Sequence, residues 1–274
     1  VVVCQAAFFW SWSTYAWLRS FCFRPILGQS EAMGQNLCCN DENCGGHQVD
    51  SGVGVSVVSV KSMHKFEDAT QLGLEEPTLE RRAGLELLNG AIYEGEWLGT
   101  EVHGEGSQIW PDGAKYQGQW RHGKAHGFGK FEHACGDVYD GQWQSDRAHG
   151  TGVYTHASGS RYDGHWQDDR QHGQGVETWP DGARFTGEYR AGRKHGQGTF
   201  AWEDGSRYCG GFLNNDIHGH GTYLWSDGRR YDGQWQHSRM HGSGEFAWMD
   251  GRSYVGEYVD EQKHGKGVFK WPDG

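Results

Sequence analysis

The chain has 274 residues, with 45 glycines but only 5 prolines, and 14% aromatic against 35% hydrophobic residues. So little aliphatic content excludes a large Leu/Val/Ile core, while 14 Trp and 12 Tyr exclude a disordered glycine-rich tract. A net charge of −11 disfavours nucleic acid as a partner, because phosphate neutralisation needs a basic surface, and equally disfavours simple adhesion to anionic lipid.

Residues 1–32 read as an apolar leader whose stretch VVVCQAAFFWSWSTYAWL carries no charge before Arg19. Its length reaches the lower limit for a membrane span, but Gln5 and several Ser/Thr weaken that reading. The absence of a basic start argues against a signal peptide. The following Met33-Gly34-Gln35-Asn36-Leu37-Cys38-Cys39 resembles an N-myristoylation signal with adjacent palmitoylation cysteines, departing from it where Cys38 replaces the usual Ser or Thr. If Met33 is the true start, residues 1–32 are upstream sequence read in frame; a weak membrane segment and an untargeted leader are the alternatives. One myristoyl chain on Gly34 holds a membrane only marginally, so Cys38 or Cys39 has to add the second anchor. A zinc site from Cys38, Cys39, Cys44 and His47 is the weaker reading, because adjacent cysteines suit tetrahedral ligation poorly.

Residues 33–64 form a Gly/Ser/Val-rich linker around that signal. Residues 65–84 are more charged and predict a short helical lead-in, with Pro77 near its start and Gly84 after its end. Of the seven cysteines only Cys135 and Cys209 lie further on, in unlike contexts, so no disulfide framework is expected and an intracellular setting is.

From residue 93 a 23-residue period takes over. Aromatic residues recur at Tyr93, Tyr116, Tyr139, Tyr162, Phe185, Tyr208, Tyr231 and Tyr254, with no insertion or deletion. Counting these as position one, position three is always glycine (Gly95 in the first copy) and position five always aromatic (Trp97). A His-Gly pair follows at positions eleven and twelve (His103-Gly104), then glycine at fourteen (Gly106) and twenty-one (Gly113). Positions one, three and five share one face of a strand, so a ring can lie over the bare glycine beside it. Positions fourteen, sixteen and eighteen repeat the device with glycine, mostly Phe or Tyr, and mostly Trp. The polar stretch ending in His-Gly predicts the loop of a hairpin, and Asp-Gly, as in Asp112-Gly113, predicts the tight turn into the next copy. Leu85, Leu87, Ile92 and Asn89-Gly90 predict the second half of a preceding hairpin over residues 84–92.

This Tyr-x-Gly-x-Trp…His-Gly-x-Gly…Asp-Gly pattern closely resembles the MORN (membrane occupation and recognition nexus) repeat over residues 93–274. The expected fold is all-β, an elongated single-layer antiparallel sheet of stacked hairpins over residues 85–274, with eight copies from Tyr93. At about 4.8 Å per strand, eight copies span on the order of 75 Å. The last copy stops at Gly274 without a cap, so a continuation of the natural chain is expected.

Three rows of chemistry-bearing residues need weighing. The eight in-register histidines (His103, His126, His149, His172, His195, His218, His241, His264) stand about 9.6 Å apart, too far for one ion to bridge, so a structural bond to backbone is expected rather than a metal. The Asp-Gly carboxylates read as turns, since Cys135 and Ser158 replace two of them while the glycine stays. A basic row at position twenty-three (Lys115, Arg161, Arg184, Arg207, Arg230) could face phosphate or lipid, a role often proposed for this family. However, acids at position two, as in Arg161–Asp163 and Arg230–Asp232, predict a mixed-charge ladder instead. The array has 19 basic and 26 acidic side chains, a net −7.

No nucleophile, phosphate loop or metal constellation emerges, so neither catalysis nor a cofactor is expected. The enzyme-free array together with the Met33-Gly34…Cys38-Cys39 segment points to a scaffold that binds protein partners at the cytoplasmic face of a membrane or the cell cortex, anchored by acylation. Open sheet edges predict a homodimer through the array. Two alternatives stand beside it: direct phospholipid binding by the repeats, and a regulatory region ahead of a lipid kinase, as the resemblance to algal and plant phosphatidylinositol phosphate kinases implies.

Overall fold

The computed structural model describes residues 78–273. The leader, the linker and the acylation candidates Gly34, Cys38 and Cys39 lie outside the described residues. Those described form one open antiparallel sheet of 17 strands in which each strand pairs with its neighbours in sequence.

Of the lead-in expected to be helical, residues 65–77 lie outside the described residues, and from Leu79 onward it is a strand. β1 (Leu79–Glu86) pairs with β2 (Ile92–Leu98) through Leu79↔Leu98, Arg82↔Gly95 and Leu85↔Tyr93. It takes, one period earlier, the place of β3 (Glu101–Ile109), so the half-hairpin read over residues 84–92 starts at Leu79. The physical reason is the neighbour. A six-residue helix cannot repay its own nucleation, whereas the exposed edge of β2 offers a full ladder of backbone partners. Arg82 completes the seal, donating from Nη2 to the Gly99 carbonyl at 2.9 Å with its guanidinium over the Trp97 ring.

Seven-residue strands then alternate with nine-residue strands to β16 (Ser253–Val259) and β17 (Gln262–Lys270). Each hairpin closes with two residues at positions seven and eight. In the first, Gly99 (62°) has positive φ and Thr100 does not; in the other seven of the eight both do, such as Ser145 (49°) and Asp146 (69°) or Asn214 (52°) and Asn215 (77°). That is the mirror-image turn whose twist matches the strands it joins. The loop therefore takes only positions seven and eight of the polar stretch; the end of that stretch, including His-Gly, belongs to the second strand of each hairpin and forms a wide bulge. Between β4 (Lys115–Arg121) and β5 (Lys124–Glu132) the register runs Gly118↔Gly129 and then Trp120↔Ala125, so Gln119 faces His126, Gly127 and Phe128 together.

A bulge leaves an amide without its ladder partner, and here the position-four side chain supplies one. Gln119 Oε1 accepts from Phe128 N at 3.0 Å, Gln142 Oε1 from Thr151 N at 2.8 Å, and Glu96 Oε2 from Glu105 N at 2.8 Å. Gly127, at φ 67°, is required twice over: by its left-handed backbone and by the Gln119 carboxamide, which a Cβ would overlap.

The core is one layer of aromatic rings on one face of the sheet. Tyr93, Tyr116, Tyr139, Tyr208 and Tyr231 have no exposed surface. Each ring crosses the two facing glycines of its own hairpin, and its hydroxyl donates to the position-four carbonyl, as Tyr116 does to Gln119 at 3.0 Å. Each ring also stands edge-on to the position-five ring of its own repeat and of the next: Tyr139 lies 5.0 Å from Trp143 and 5.2 Å from Trp166, at 86° and 87°. Indole N–H groups tie repeats together, Trp143 donating to the Gly129 carbonyl at 2.8 Å and Trp166 to Gly152 at 3.0 Å. Edge-to-face pairs contribute roughly 0.5–1.5 kcal/mol beyond area burial. Because contacts run mainly between successive repeats, stability accumulates along the array.

Burial raises the tyrosine hydroxyls, Tyr93 and Tyr231 to about 12. A raised folded value means that the neutral phenol is favoured by folding. That stability is complete below the unfolded value of about 10 and is lost as pH rises through the folded one. Circular dichroism should therefore follow alkaline unfolding between about pH 10 and 12. A sheet unchanged at pH 12 would contradict the buried-phenol core.

Adjacent hairpins are also locked at their turns. Asp146 Oδ1 accepts from Ala125 N at 2.7 Å while Asp146 N donates to the Ala125 carbonyl at 3.0 Å. Asn215 makes the same side-chain bond to Lys194 N at 2.8 Å. Desolvation raises the Asp146 carboxyl above its usual range, outweighing the opposing pull of the Ala125 amide. The folded state thus favours the protonated acid, and stability is lost as pH rises through its folded value. Asp146→Asn keeps the acceptor without the charge, so it should be neutral or stabilising at pH 7, with the difference closing below about pH 4. Asp146→Ala leaves the amide of fully buried Ala125 unpaired and should cost about 1–3 kcal/mol in urea unfolding. Equal losses in both variants would contradict this account.

Candidate functional site

The two faces of the sheet differ in chemistry. The face opposite the tyrosines carries the basic row. Arg161 Nη2 bonds Asp163 Oδ2 at 2.9 Å, Arg230 is paired with Asp232, and Arg184 Nε lies 3.4 Å from Thr186 Oγ1. Lys115 stands across the ladder from Glu132, and Arg207 from Ala201 and Leu224. The acids at position two thus sit on the arginines they were expected to compensate.

On the tyrosine face, the signature residues Tyr93, Gly95, Trp97 and Gly106 form the buried layer, and His103-Gly104 the bulge. Asp112-Gly113 forms the turn: Gly113 N donates to the Trp110 carbonyl at 2.9 Å and Ala114 N to Asp112 Oδ1 at 3.0 Å. Where Cys135 and Ser158 replace the acid, a histidine replaces the preceding tryptophan and accepts from a different amide of the turn. Cys135 N donates to His133 Nδ1 at 3.2 Å and Ser158 N to His156 Nδ1 at 3.1 Å.

The position-eleven histidines meet their expected backbone bond only in part. His122 N donates to His103 Nδ1 at a long 3.5 Å. In His149, His195 and His218 the corresponding nitrogen is buried without a partner, so packing in the bulge, not a backbone bond, holds those rings.

Above the buried layer runs a second row of rings from positions sixteen and eighteen, mostly half-buried, though Phe131 and Phe246 are buried. In its carboxyl-terminal part Trp202, Tyr223, Trp225, Phe246 and Trp248 follow one another at centroid distances of 4.5–5.2 Å, tilted by 37–49°. Arg229 and Arg252 lie over Trp225 and Trp248, their Nε atoms held by Asp227 at 2.7 Å and Asp250 at 2.8 Å, which fixes the indoles in place.

Midway along the array this row is broken by a buried ion pair that sequence reasoning missed. Glu177 stands at position sixteen in place of an aromatic ring. Its Oε2 accepts from Lys194 Nζ and from the Tyr189 hydroxyl, each at 2.7 Å, with the lysine and glutamate side chains only 7% and 8% exposed. The ammonium also lies 5.0 Å from the Trp179 ring and 5.1 Å from Phe185. The signal was present, since Glu177, Tyr189 and Lys194 depart together from what most copies hold at those positions.

A family model of the MORN repeat matches eight consecutive segments: 93–115, 116–138, 139–161, 162–184, 185–207, 208–229, 231–251 and 254–274. The chain belongs to the MORN-repeat family. Its array is a scaffold-type fold rather than a catalytic one. No curated protein sequence matches the chain. Among solved structures, the SAS-4 (dCPAP) TCP domain of Drosophila melanogaster is similar at 9% identity and a TM-score of 0.36, covering 73% of this chain and 99% of that one. The CPAP G-box domain gives 14% identity and 0.29, covering 70% and 99%. A mutant TCP10 domain of Danio rerio CPAP gives 14% and 0.27, covering 68% and 96%. Scores at this level carry no structural argument.

Proposed function

We propose that this MORN array is a non-catalytic scaffold that gathers protein partners on its half-exposed aromatic row. The observation that carries this reading is the row itself: large rings, regularly repeated, held in fixed orientation and left partly uncovered on a rigid sheet. Tryptophan and tyrosine give large contact area at low entropic cost, which is why they dominate binding surfaces. The opposite face, where arginines are neutralised by neighbouring acids, suits solvent better than a partner.

The reading extends to place and assembly. Acylation at Gly34 with Cys38 or Cys39 holds the scaffold at the cytoplasmic face of a membrane or the cell cortex, and the array pairs as a homodimer. Direct recognition of phospholipid by the basic row is the weaker reading, because Asp163 and Asp232 occupy two of its arginines.

Crosslinked partner capture by the full chain tests the proposal. A Trp202→His/Trp225→His/Trp248→His chain should lose its partners, while Arg184→Ala/Arg207→Ala keeps them. Histidine is the substitute because the array itself uses it at this position in His133 and His156. An unchanged partner set in the tryptophan variant would overturn the assignment of this face. Membrane fractionation tests the anchor: Gly34→Ala with Cys38→Ser and Cys39→Ser should release the chain, and retention would refute acylation.

A further inference from the structure

The buried layer ends differently at its two rims, and from this we infer an interaction between copies of the chain. The outer edge of β17 in one copy takes the place of β1 on β2 of a second copy, so that arrays join head to tail. The inference deepens the self-association of the array proposed above and does not depend on the aromatic row.

β1 is a poor counterpart of the strands whose place it takes. At every later junction between hairpins glycine faces glycine, from Gly106↔Gly118 and Gly129↔Gly141 to Gly244↔Gly256. At the first junction Arg82 stands opposite Gly95, and the register breaks before Leu85. Seven of the eight β1 residues are exposed. The consequence falls on Trp97. Trp120, Trp143, Trp166 and Trp235 donate their indole N–H to the position-fourteen glycine carbonyl of the preceding hairpin. Trp97 is 7% exposed, and its Nε1 is buried with no hydrogen-bond partner. An unpaired buried donor carries its desolvation cost in full, which a strand offering the missing carbonyl would relieve.

The far rim holds what Trp97 lacks. β17 is exposed along all but one of its nine residues, and Gly267 stands on it at position fourteen. Tyr254 has one edge-on ring, Tyr258 at 5.6 Å, where Tyr93 has two, Trp97 and Trp120, each at 5.4 Å. The inner junctions set Gly104 against Trp120 and Gly106 against Gly118. Continued across the join, that register sets Gly265 against Trp97, Gly267 against Gly95 and Phe269 against Tyr93 of the second copy. The Trp97 indole then meets the Gly267 carbonyl, and its ring takes the open side of Tyr254. Charge fits as well. Lys266 comes to stand across from Glu96, where β1 holds Arg81, and Lys270 lies diagonal to Glu94. In exchange β1 gives up the Arg82 bond to Gly99 and its contact with the Trp97 ring. The addition of a strand to a sheet edge is a general mode of association. The two copies use different surfaces, so the joint is heterologous and further copies add in line. Each copy contributes the sixteen strands β2 to β17, an axial repeat of about 77 Å.

Carbodiimide crosslinking of the full chain, read by peptide mass spectrometry beside sedimentation velocity, tests the joint. Lys266 and Glu96 lie about 72 Å apart along the sheet of one copy, so a bond between them can only join two copies. That crosslink is expected, in species larger than a dimer. Lys266→Glu should weaken association about tenfold or more. Glu96→Gln keeps the cap on Glu105, as Gln119 caps Phe128, and should weaken it less. Leu79→Cys/Leu98→Cys, facing positions of the β1–β2 pair, locks β1 in place when oxidised. The locked chain should be monomeric, and reduction should restore association. Circular dichroism confirms that each variant keeps the sheet. Association that survives the oxidised lock overturns the inference. So does a species that stops at two copies without the Lys266–Glu96 crosslink, in which case self-association stands and the head-to-tail joint falls. A natural chain that stays monomeric removes both.

Discussion

Gly152→Ala should destabilise the array by about 3 kcal/mol or more, because the added methyl has nowhere to go. Gly152 lies beneath the Tyr139 ring, which crosses it and the facing Gly141, and a Cβ there would overlap the hydroxyl and the ring carbons together. The ring cannot retreat. It has no exposed surface, its hydroxyl donates to the Gln142 carbonyl at 2.9 Å, and it is held edge-on between Trp143 and Trp166. Gly182 is the matched control. Its φ of 90° makes alanine strained, but no atom lies within 4 Å of the new methyl. Strain alone should cost about 1–2 kcal/mol. Urea unfolding followed by circular dichroism and by tryptophan emission separates the two. A Gly152→Ala loss no larger than that of Gly182→Ala would show that the ring-over-glycine contact does not set the spacing of the motif.

The second large effect lies at the buried ion pair. Lys194→Ala should cost about 3–5 kcal/mol, because among the described residues it leaves the Glu177 carboxylate with the Tyr189 hydroxyl, at 2.7 Å, as its one side-chain donor. The array contains its own repair. One repeat pair earlier, the same three positions hold Phe131, Trp143 and Ala148, with the Phe131 and Trp143 rings 6.3 Å apart. The triple substitution Glu177→Phe/Tyr189→Trp/Lys194→Ala transplants that solution. It should recover most of the loss and equal or exceed the natural chain, since well-packed apolar groups often replace a buried pair without cost. A double-mutant cycle on Glu177 and Lys194 should give a coupling of about 1–3 kcal/mol. Additive losses would mean that the two side chains act independently.

How the sequence announced this fold differs from residue to residue. The tyrosine, glycine and tryptophan rows were legible because a strand alternates its side chains, so a period of two inside a period of 23 fixes which residues share a face. The Asp-Gly turns were legible for the same local reason. His-Gly was misplaced because a polar stretch beside a glycine looks alike in a loop and in a bulge. The deciding partner, Gln119 or its equivalents, is nine residues away from the amide that it caps. The start of β1, Leu79–Arg82, was misread as helical because what makes it a strand is the neighbouring edge of β2, which no property of the segment itself records. The charge ladder of Arg161 and Asp163 was visible two residues apart. The Glu177–Lys194 pair, 17 residues apart, was not, since position sixteen of one repeat meets position ten of the next only after the hairpins stack. The unpaired donor of Trp97 was likewise invisible, because an unpaired indole differs from a bonded one only in three dimensions.

The claim on which all of this rests is that the eight repeats form one continuous sheet. Spin labels introduced through non-canonical amino acids at Gln144 and Gln236, equivalent positions four repeats apart, test it most directly by pulsed electron resonance. Eight strand spacings place the labels about 38 Å apart, with one narrow distribution. A much shorter separation, or a broad spread of distances, would contradict the continuous array.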